Sequence, residues 1–197
     1  MSETRREILK NIAMAVTIAG IPADAAQHVH EAVAAAKAAS PKGHYTPKIC
    51  TAHEFASLRR LSEMIIPADE VSGSAVDAGA PEFIDLIAAN NEEIATQILG
   101  GVAWIDSAML KRTGKSFVDS PVADQTALLD IISYRKNSTP ELQPGIVSFD
   151  WIRRLTADAF YTSPIGVKDV GYVGNKGMTT FQVPAESIQY ALKKSGL

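Results

Sequence analysis

The chain has 197 residues, one cysteine and a formal net charge of −3, and 46% of its residues are hydrophobic. This length suits one domain with a short appended segment, and the apolar share is that of a globular core rather than a disordered chain. The small net charge gives no electrostatic reason to expect a nucleic-acid partner. A single cysteine excludes an intrachain disulfide and an all-cysteine metal site.

Residues 1–25 have the layout of an export signal. Arg5 and Arg6 come shortly before an uncharged, mildly apolar run at residues 11–21, and residues 23–25 (Ala-Asp-Ala) offer a small-x-small cleavage pattern. The apolar run is far shorter than the ~20 residues that a transmembrane helix needs. The paired arginines resemble a twin-arginine signal, which exports proteins that are already folded. The alternative is an ordinary amphipathic helix in which two arginines are adjacent by chance.

Residues 26–44 form an alanine-rich segment between this leader and the main domain. The stretch up to Ala39 fits either a retained helix or a tether. Residues 40–43 (Ser-Pro-Lys-Gly) have the composition of a linker. We therefore expect the main domain to occupy residues 45–197.

Apolar residues recur at helical spacing throughout the main domain, and strand-like alternation is scarce. Thr51 and Glu54 form a predicted capping box at the start of the first helix, which Pro67 ends. Further helices are expected from Pro81, from Ile94 to Gly114, and from Pro121, Ser148 and Pro184. The predicted fold class is all-α: a compact bundle of about five to six helices with long ordered loops, preceded by the signal segment.

Gly100 and Gly101 fall in the middle of the predicted helix that Gly114 closes. Each glycine inside a helix costs about 1 kcal/mol relative to alanine. The pair therefore indicates either a kink or a close contact with another helix.

The sequence carries none of the common catalytic motifs: it has no Gly-x-Ser-x-Gly elbow, no His-Glu-x-x-His pair and no phosphate-binding loop. His28 and His30 are two positions apart, so they point to different sides of a helix. His53 is a lone candidate base in the first turn of a helix. Asp69 and Glu70 are adjacent carboxylates, but turn formation explains them more simply. We therefore predict no catalytic, cofactor-binding or metal site in this chain.

Cys50 is the single thiol of the chain. In an oxidising compartment it has no intrachain partner, so one interpretation is that it forms a disulfide to another subunit. A buried or simply free thiol is the other interpretation.

Two separated motifs carry a resemblance to a known family. The first comprises residues 61–69 (LSEMIIPAD) and 79–85 (GAPEFID), and the second is residues 160–175 (FYTSPIGVKDVGYVGN). Together with residues 104–106 (Trp-Ile-Asp) and the twin-arginine start, they resemble the gluconate 2-dehydrogenase subunit 3 family. Members of that family are small subunits of membrane-bound dehydrogenases, and the resemblance covers roughly residues 45–184.

The resemblance implies a non-catalytic role in a larger enzyme. In such complexes a large flavoprotein of the glucose-methanol-choline oxidoreductase type holds FAD and oxidises a sugar, a sugar acid or an alcohol. A cytochrome c subunit often passes the electrons to quinone. The small subunit carries the export signal, so the folded flavoprotein crosses the membrane as its passenger. This chain is therefore expected to bind no cofactor itself, to be periplasmic, and to associate with the inner membrane through its complex.

The residues expected to dock on the partner are Pro67, Asp69, Tyr161, Tyr172 and Asn175. Each also has a local explanation: Pro67 is expected to end a helix, for example, and Tyr172 to cover the core. Two other functions stay open. One is a small stand-alone enzyme that uses the histidine and the paired carboxylates named above. The other is a periplasmic helical protein that binds a lipid or another hydrophobic ligand.

Overall fold

The computed structural model describes residues 23–40, 43–171 and 183–195. Within these ranges the chain forms α-helices and one 3₁₀ turn, and no strand occurs among them. The helices are α1 (Ala23–Ala38), α2 (Ala52–Ile65), α3 (Ala80–Ala88), α4 (Glu92–Thr113), α5 (Val122–Ile132), α6 (Gln143–Tyr161), α7 (Pro164–Asp169) and α8 (Ala185–Ser195), and the 3₁₀ turn is Arg135–Asn137. The predicted all-α class is confirmed, and α1 and the short α7 add to the five to six helices expected.

The ends of two helices follow the predicted local signals. The Thr51 hydroxyl accepts a hydrogen bond from the Glu54 amide at 3.2 Å, and the Glu54 carboxylate accepts one from the Thr51 amide at 2.7 Å. This is the expected capping box at the start of α2. Gly114 follows α4 with a φ of 72°, a conformation that glycine adopts without strain. Both predictions are confirmed.

The predicted start of a helix at Ser148 is wrong. The helix in question, α6, begins at Gln143, more than one turn earlier. Pro144 lies in its first turn, where a residue without an amide hydrogen breaks no helical hydrogen bond. Ser148 is instead a buried residue inside α6.

Helix α3 is the centre of the fold. All nine of its residues are buried, and the helix packs against α1, α2, α4 and α6. A helix that is covered on every side is expected to be apolar all round. Glu82 and Asp85 are exceptions, because both are carboxylates inside the core. Each of them needs a partner, since an isolated buried charge is very costly.

Helix α1 belongs to this core. Val29 and Val33 are buried, and the helix packs against α3. Lys37 Nζ lies 2.8 Å from Glu82 Oε1, which gives this buried carboxylate a cation. Up to Ala38 the alanine-rich segment is therefore a helix packed on the core, the first of the two forms expected for it.

The predicted leader, including Arg5 and Arg6, lies outside the described residues, so the twin-arginine signal stays a prediction. Residues 23–25, the predicted cleavage site, form the first turn of α1. In the parts of the chain that the structure describes, no helix is both long and apolar enough to cross a membrane.

Helices α4 and α6 approach each other closely at small residues. A Cβ atom on Gly101 would lie 2.5 Å from the Ser148 Cβ, and one on Gly145 would lie 2.3 Å from the Trp104 ring. A Cβ atom on Gly100 would meet nothing within 4 Å. A close helix contact therefore explains Gly101, whereas Gly100 has open space beside it.

Alanine substitutions at these two adjacent glycines separate the contact from helix propensity. Gly100→Ala should raise the free energy of unfolding by up to about 1 kcal/mol, because alanine favours the helix. Gly101→Ala gains the same propensity but forces a methyl group against Ser148, and such overpacking costs about 1–3 kcal/mol. Urea unfolding of the full chain measures both variants. Equal stabilisation by the two substitutions would contradict the close contact.

His30 is a half-buried titratable group between α1 and the end of α6. Its ring centroid lies 4.9 Å from that of Phe83, and its Nε2 lies 3.0 Å from the Thr162 hydroxyl oxygen. Burial lowers the pKa of His30 and outweighs a hydrogen bond with the Ala159 backbone that acts in the opposite direction. The folded chain therefore favours the neutral imidazole. His28 is exposed, so the two histidines point to different sides of the helix as predicted.

We expect mild acid to destabilise the chain through His30. As the pH falls through about 6.5, the ordinary pKa of histidine, the unfolded chain takes up the proton before the folded chain does. The free energy of unfolding therefore decreases below that pH. Carboxylates with lowered pKa values, such as Asp69 and Asp150, lose their contribution only nearer their ordinary pKa of about 4.

The measurement is the melting temperature of the wild type and of His30→Gln at about pH 7.5 and pH 5.5, which bracket the ordinary histidine pKa. The wild type should melt at a lower temperature at the acidic pH, and the difference should shrink in the variant. If the melting temperatures at the two pH values differ as much in the variant as in the wild type, another group causes the acid sensitivity.

Candidate functional site

Asp85, the last residue of the first sequence motif, holds the segment that leads into α2. Its Oδ2 accepts hydrogen bonds from the Tyr45 hydroxyl at 2.8 Å and the Lys48 amide at 2.6 Å. Its Oδ1 accepts from the amides of Ile49 at 3.2 Å and Cys50 at 3.1 Å. Successive backbone amides that point at one anion form a concave anion site of a known kind. We call this arrangement of the buried carboxylate, the phenol and the three amides the Asp85 clamp.

The motif residues before Asp85 build the helix that carries it. Gly79 precedes α3 with a φ of 79°, a left-handed conformation that favours glycine, and Pro81 lies in the first turn. Phe83 and Ile84 are fully buried. The residues of this motif therefore place one carboxylate in the core at a defined position.

The clamp limits the chemistry of its neighbours. Burial raises the pKa of the Tyr45 hydroxyl, and the Asp85 carboxylate raises it further. Burial and then Asp85 also raise the pKa of the Cys50 thiol. Both groups are therefore protonated at neutral pH, and a protonated thiol is a poor nucleophile.

Cys50 is a buried free thiol, one of the two arrangements that the sequence allows. Because its amide is bound to Asp85, a disulfide to another subunit would require the segment around residues 45–50 to open. The disulfide to another subunit stays a prediction.

Pro67 and Asp69 lie on an exposed loop after α2. Asp69 Oδ1 accepts hydrogen bonds from the amides of Ser72 and Val71, each at 2.8 Å. These bonds hold the pKa of Asp69 below its usual range. The Asp69 side chain thus shapes its own turn, while the same turn leaves Val71 78% exposed. The loop therefore presents an apolar side chain to solvent next to two of the predicted docking residues.

Tyr161 lies at the end of α6 and is 48% exposed. Its ring contacts the Phe160 ring edge-on, with 5.1 Å between the centroids. A Cβ atom on Gly166 would lie 2.1 Å from the Phe160 carbonyl oxygen, so α7 can fold back on α6 only with glycine at this position. The other two docking residues of this motif, Tyr172 and Asn175, lie outside the described residues.

His53 has a partner that the sequence did not reveal. Its Nε2 lies 2.6 Å from Asp106 Oδ2, and Asp106 Oδ1 accepts a hydrogen bond from the Phe117 amide at 2.8 Å. A carboxylate beside an imidazole can orient a general base, but Asp69 bonds within its own loop instead of joining this pair. The residues of the stand-alone enzyme hypothesis therefore do not form one hydrogen-bonded site. The described part of the chain also holds no cluster of three or more potential metal ligands.

Helix α8 presents an apolar stripe to solvent. Every residue from 183 to 195 is exposed. Ile188 and Leu192 lie one turn apart on the same side of α8 and are 46% and 45% exposed. Val183 and Tyr190 add further exposed apolar surface. None of the residues of α8 is buried in the core of the described chain.

One family model, described as gluconate 2-dehydrogenase subunit 3, matches residues 52–179, well over half of the chain. The match begins at the first residue of α2 and includes α3 with Asp85, the α4–α6 contact and Tyr161. Helices α1 and α8 lie outside it. No curated protein sequence and no solved structure matches this chain.

Removal of the clamp charge should destabilise the fold. Asp85→Asn replaces one acceptor oxygen with an NH₂ group and leaves buried or partly buried amides unpaired, so we expect a loss of about 2–4 kcal/mol in the free energy of unfolding. Tyr45→Phe leaves the three amides paired and should cost clearly less. Urea unfolding measures both, and the rate of Cys50 alkylation by a maleimide should rise in Asp85→Asn. Equal losses in the two variants, with no change in alkylation, would show that the amides do not depend on Asp85.

Proposed function

The chain belongs to the gluconate 2-dehydrogenase subunit 3 family, and from that premise we propose that it is the non-catalytic small subunit of a periplasmic FAD-dependent dehydrogenase complex. The partner is a large flavoprotein of the glucose-methanol-choline type, which holds FAD and oxidises a gluconate-like sugar acid, a sugar or an alcohol. A cytochrome c subunit is a further expected member. The small subunit promotes folding, assembly and export of the flavoprotein.

The observation that carries this proposal is the exposed helix α8. An isolated helix of 11 residues is marginal in water, because helices shorter than ~12–15 residues gain too little to offset nucleation. Helix α8 buries no residue within the described chain, yet it places Ile188 and Leu192 on one side. Apolar side chains in such a stripe normally pack against another element. A partner subunit that covers this stripe supplies the missing contact.

The exposed residues of the two motifs support a second area of contact. Pro67, Asp69 and Val71 share one exposed loop, and Tyr161 and Val170 are exposed around α7. Exposed aromatic and apolar side chains of this kind are enriched at the centres of protein interfaces. We include Tyr172 and Asn175 in this contact on the resemblance of their motif alone.

Export is the second part of the proposal. Arg5 and Arg6 supply a twin-arginine signal that acts for both subunits, because the pathway carries folded cargo. The flavoprotein, folded around FAD and bound to this chain, is then taken to the periplasm and held at the inner membrane by the rest of the complex.

The apolar stripe of α8 gives a direct test of partner binding. Ile188→Ser/Leu192→Ser should weaken the affinity for the catalytic subunit at least ten-fold, because each buried aliphatic side chain contributes about 1.5–3 kcal/mol. The melting temperature of the free chain should not change, since both residues are exposed. The matched control is Ser187→Ala/Gln189→Ala, on the flanks of the same helix. Equal affinities of the two double variants would exclude α8 from the interface.

The arginine pair tests export separately. With Arg5 and Arg6 both changed to lysine, this chain and its flavoprotein should stay in the cytoplasm, where cell fractionation and the dehydrogenase activity of each fraction locate them. The wild-type chain is the control. Normal periplasmic flavoprotein in the variant strain would contradict export as a passenger of this chain.

A further inference from the structure

A groove lies between the 3₁₀ turn and the N-terminal half of α6. It has a volume of about 460 Å³. Its lining combines guanidinium groups, an indole and aliphatic side chains, and includes Arg135, Val147, Asp150, Trp151 and Arg154. None of these residues belongs to either sequence motif.

Asp150 binds two guanidinium groups, and one of them, that of Arg135, lines the groove. Its Oδ2 accepts a hydrogen bond from Arg135 Nη2 at 3.0 Å, and its Oδ1 accepts one from Arg153 Nη2 at 2.7 Å. Partial burial acts to raise the pKa of Asp150, but the hydrogen bonds from the two arginines outweigh it and keep the pKa below its usual range. Two positive charges thus share one negative charge. Because a guanidinium carries five N–H donors, each arginine keeps donors for another acceptor.

Aromatic and apolar side chains flank these charges. The Arg154 guanidinium carbon lies 5.7 Å from the centroid of the Trp151 ring, which holds the indole and the guanidinium together. Tyr134 is 57% exposed, and Val147 is also exposed. Tryptophan, tyrosine and arginine are the residue types that contribute most to binding at protein interfaces.

The charge of this region opposes that of the whole chain. Residues 134–158 contain four cations, Arg135, Lys136, Arg153 and Arg154, and three carboxylates, Glu141, Asp150 and Asp158. The region is therefore net positive in a chain whose formal charge is −3. Electrostatic complementarity favours a partner surface that is acidic at this place.

We propose that this groove binds an extended acidic segment of the catalytic subunit. A carboxylate of that segment accepts hydrogen bonds from Arg135, and a neighbouring apolar side chain of the segment enters the groove beside Trp151 and Val147. A recessed site with both charged and aliphatic walls suits a peptide segment better than a flat anionic membrane surface. The inference rests on the proposed function, because it assigns a contact to the same complex.

The test compares two exposed arginines. Arg135→Glu reverses a charge at the groove, and Arg112→Glu makes the same change at the end of α4, where the side chain is also exposed. Affinity is measured for the full-length chain and the catalytic subunit that co-purifies with it, at low and high salt. Arg135→Glu should weaken the complex at least ten-fold at low salt and lose most of this effect at high salt, whereas Arg112→Glu should bind as the wild type does.

Two results would overturn the inference while the proposed function stands. One is equal affinity of the two arginine variants when the α8 variant still weakens the complex. The other is binding of wild-type chain to phosphatidylglycerol vesicles that Arg135→Glu abolishes without any change in partner affinity, which would assign the groove to lipid headgroups. If no catalytic subunit co-purifies with the chain at all, the proposed function fails and this inference fails with it.

Discussion

The fold depends on one buried carboxylate and the donors that surround it. Asp85 lies on α3, and four helices pack against that helix. A carboxylate without water is tolerated only when hydrogen bonds replace its hydration. The Tyr45 hydroxyl and three successive amides do so. The segment before α2 therefore cannot move independently of the core, and the start of α2 is fixed to the position of α3.

The rest of the interior follows from this arrangement. Helix α1 covers another side of α3 and supplies Lys37 to the second buried carboxylate, Glu82. The long helices α4 and α6 approach closely because Gly101 and Gly145 leave room for Ser148 and Trp104. Each of these contacts is internal, and the described chain keeps a well-packed core of its own. The surfaces assigned to partners lie away from it: α8, the loop that carries Asp69, and the groove beside Asp150.

Local signals made several elements predictable from the sequence. Thr51 with Glu54 and the glycine at position 114 act within one turn of the helix they delimit, so their residue types suffice to predict the boundary. The start of α6 was missed because Ser148 is a common capping residue, whereas Pro144 in the first turn carries the actual signal. The core position of α1 also depends on packing against α3, which alanine-rich composition does not indicate.

The candidate site was less predictable, because its contacts join distant parts of the chain. The Asp85 clamp joins residues 35 to 40 positions apart, and the His53–Asp106 pair spans 53 positions. No local pattern encodes such pairings. The glycine pair in α4 illustrates the limit well: the sequence indicated a contact or a kink, but only the packing of α6 distinguishes Gly101 from Gly100. The motif residues Pro67, Asp69 and Tyr161 were found from the resemblance, and all three are exposed.

The most direct test of this account is the visible absorption spectrum of the chain purified under native conditions from its own host. An affinity tag placed after Leu197 through a flexible linker allows the chain to be isolated and separated by size. We predict that the chain elutes in a complex much larger than its own 21.1 kDa, with flavin absorbance in the same fractions. A colourless, stable monomer would contradict the assignment of this chain as the small subunit of a flavoprotein dehydrogenase.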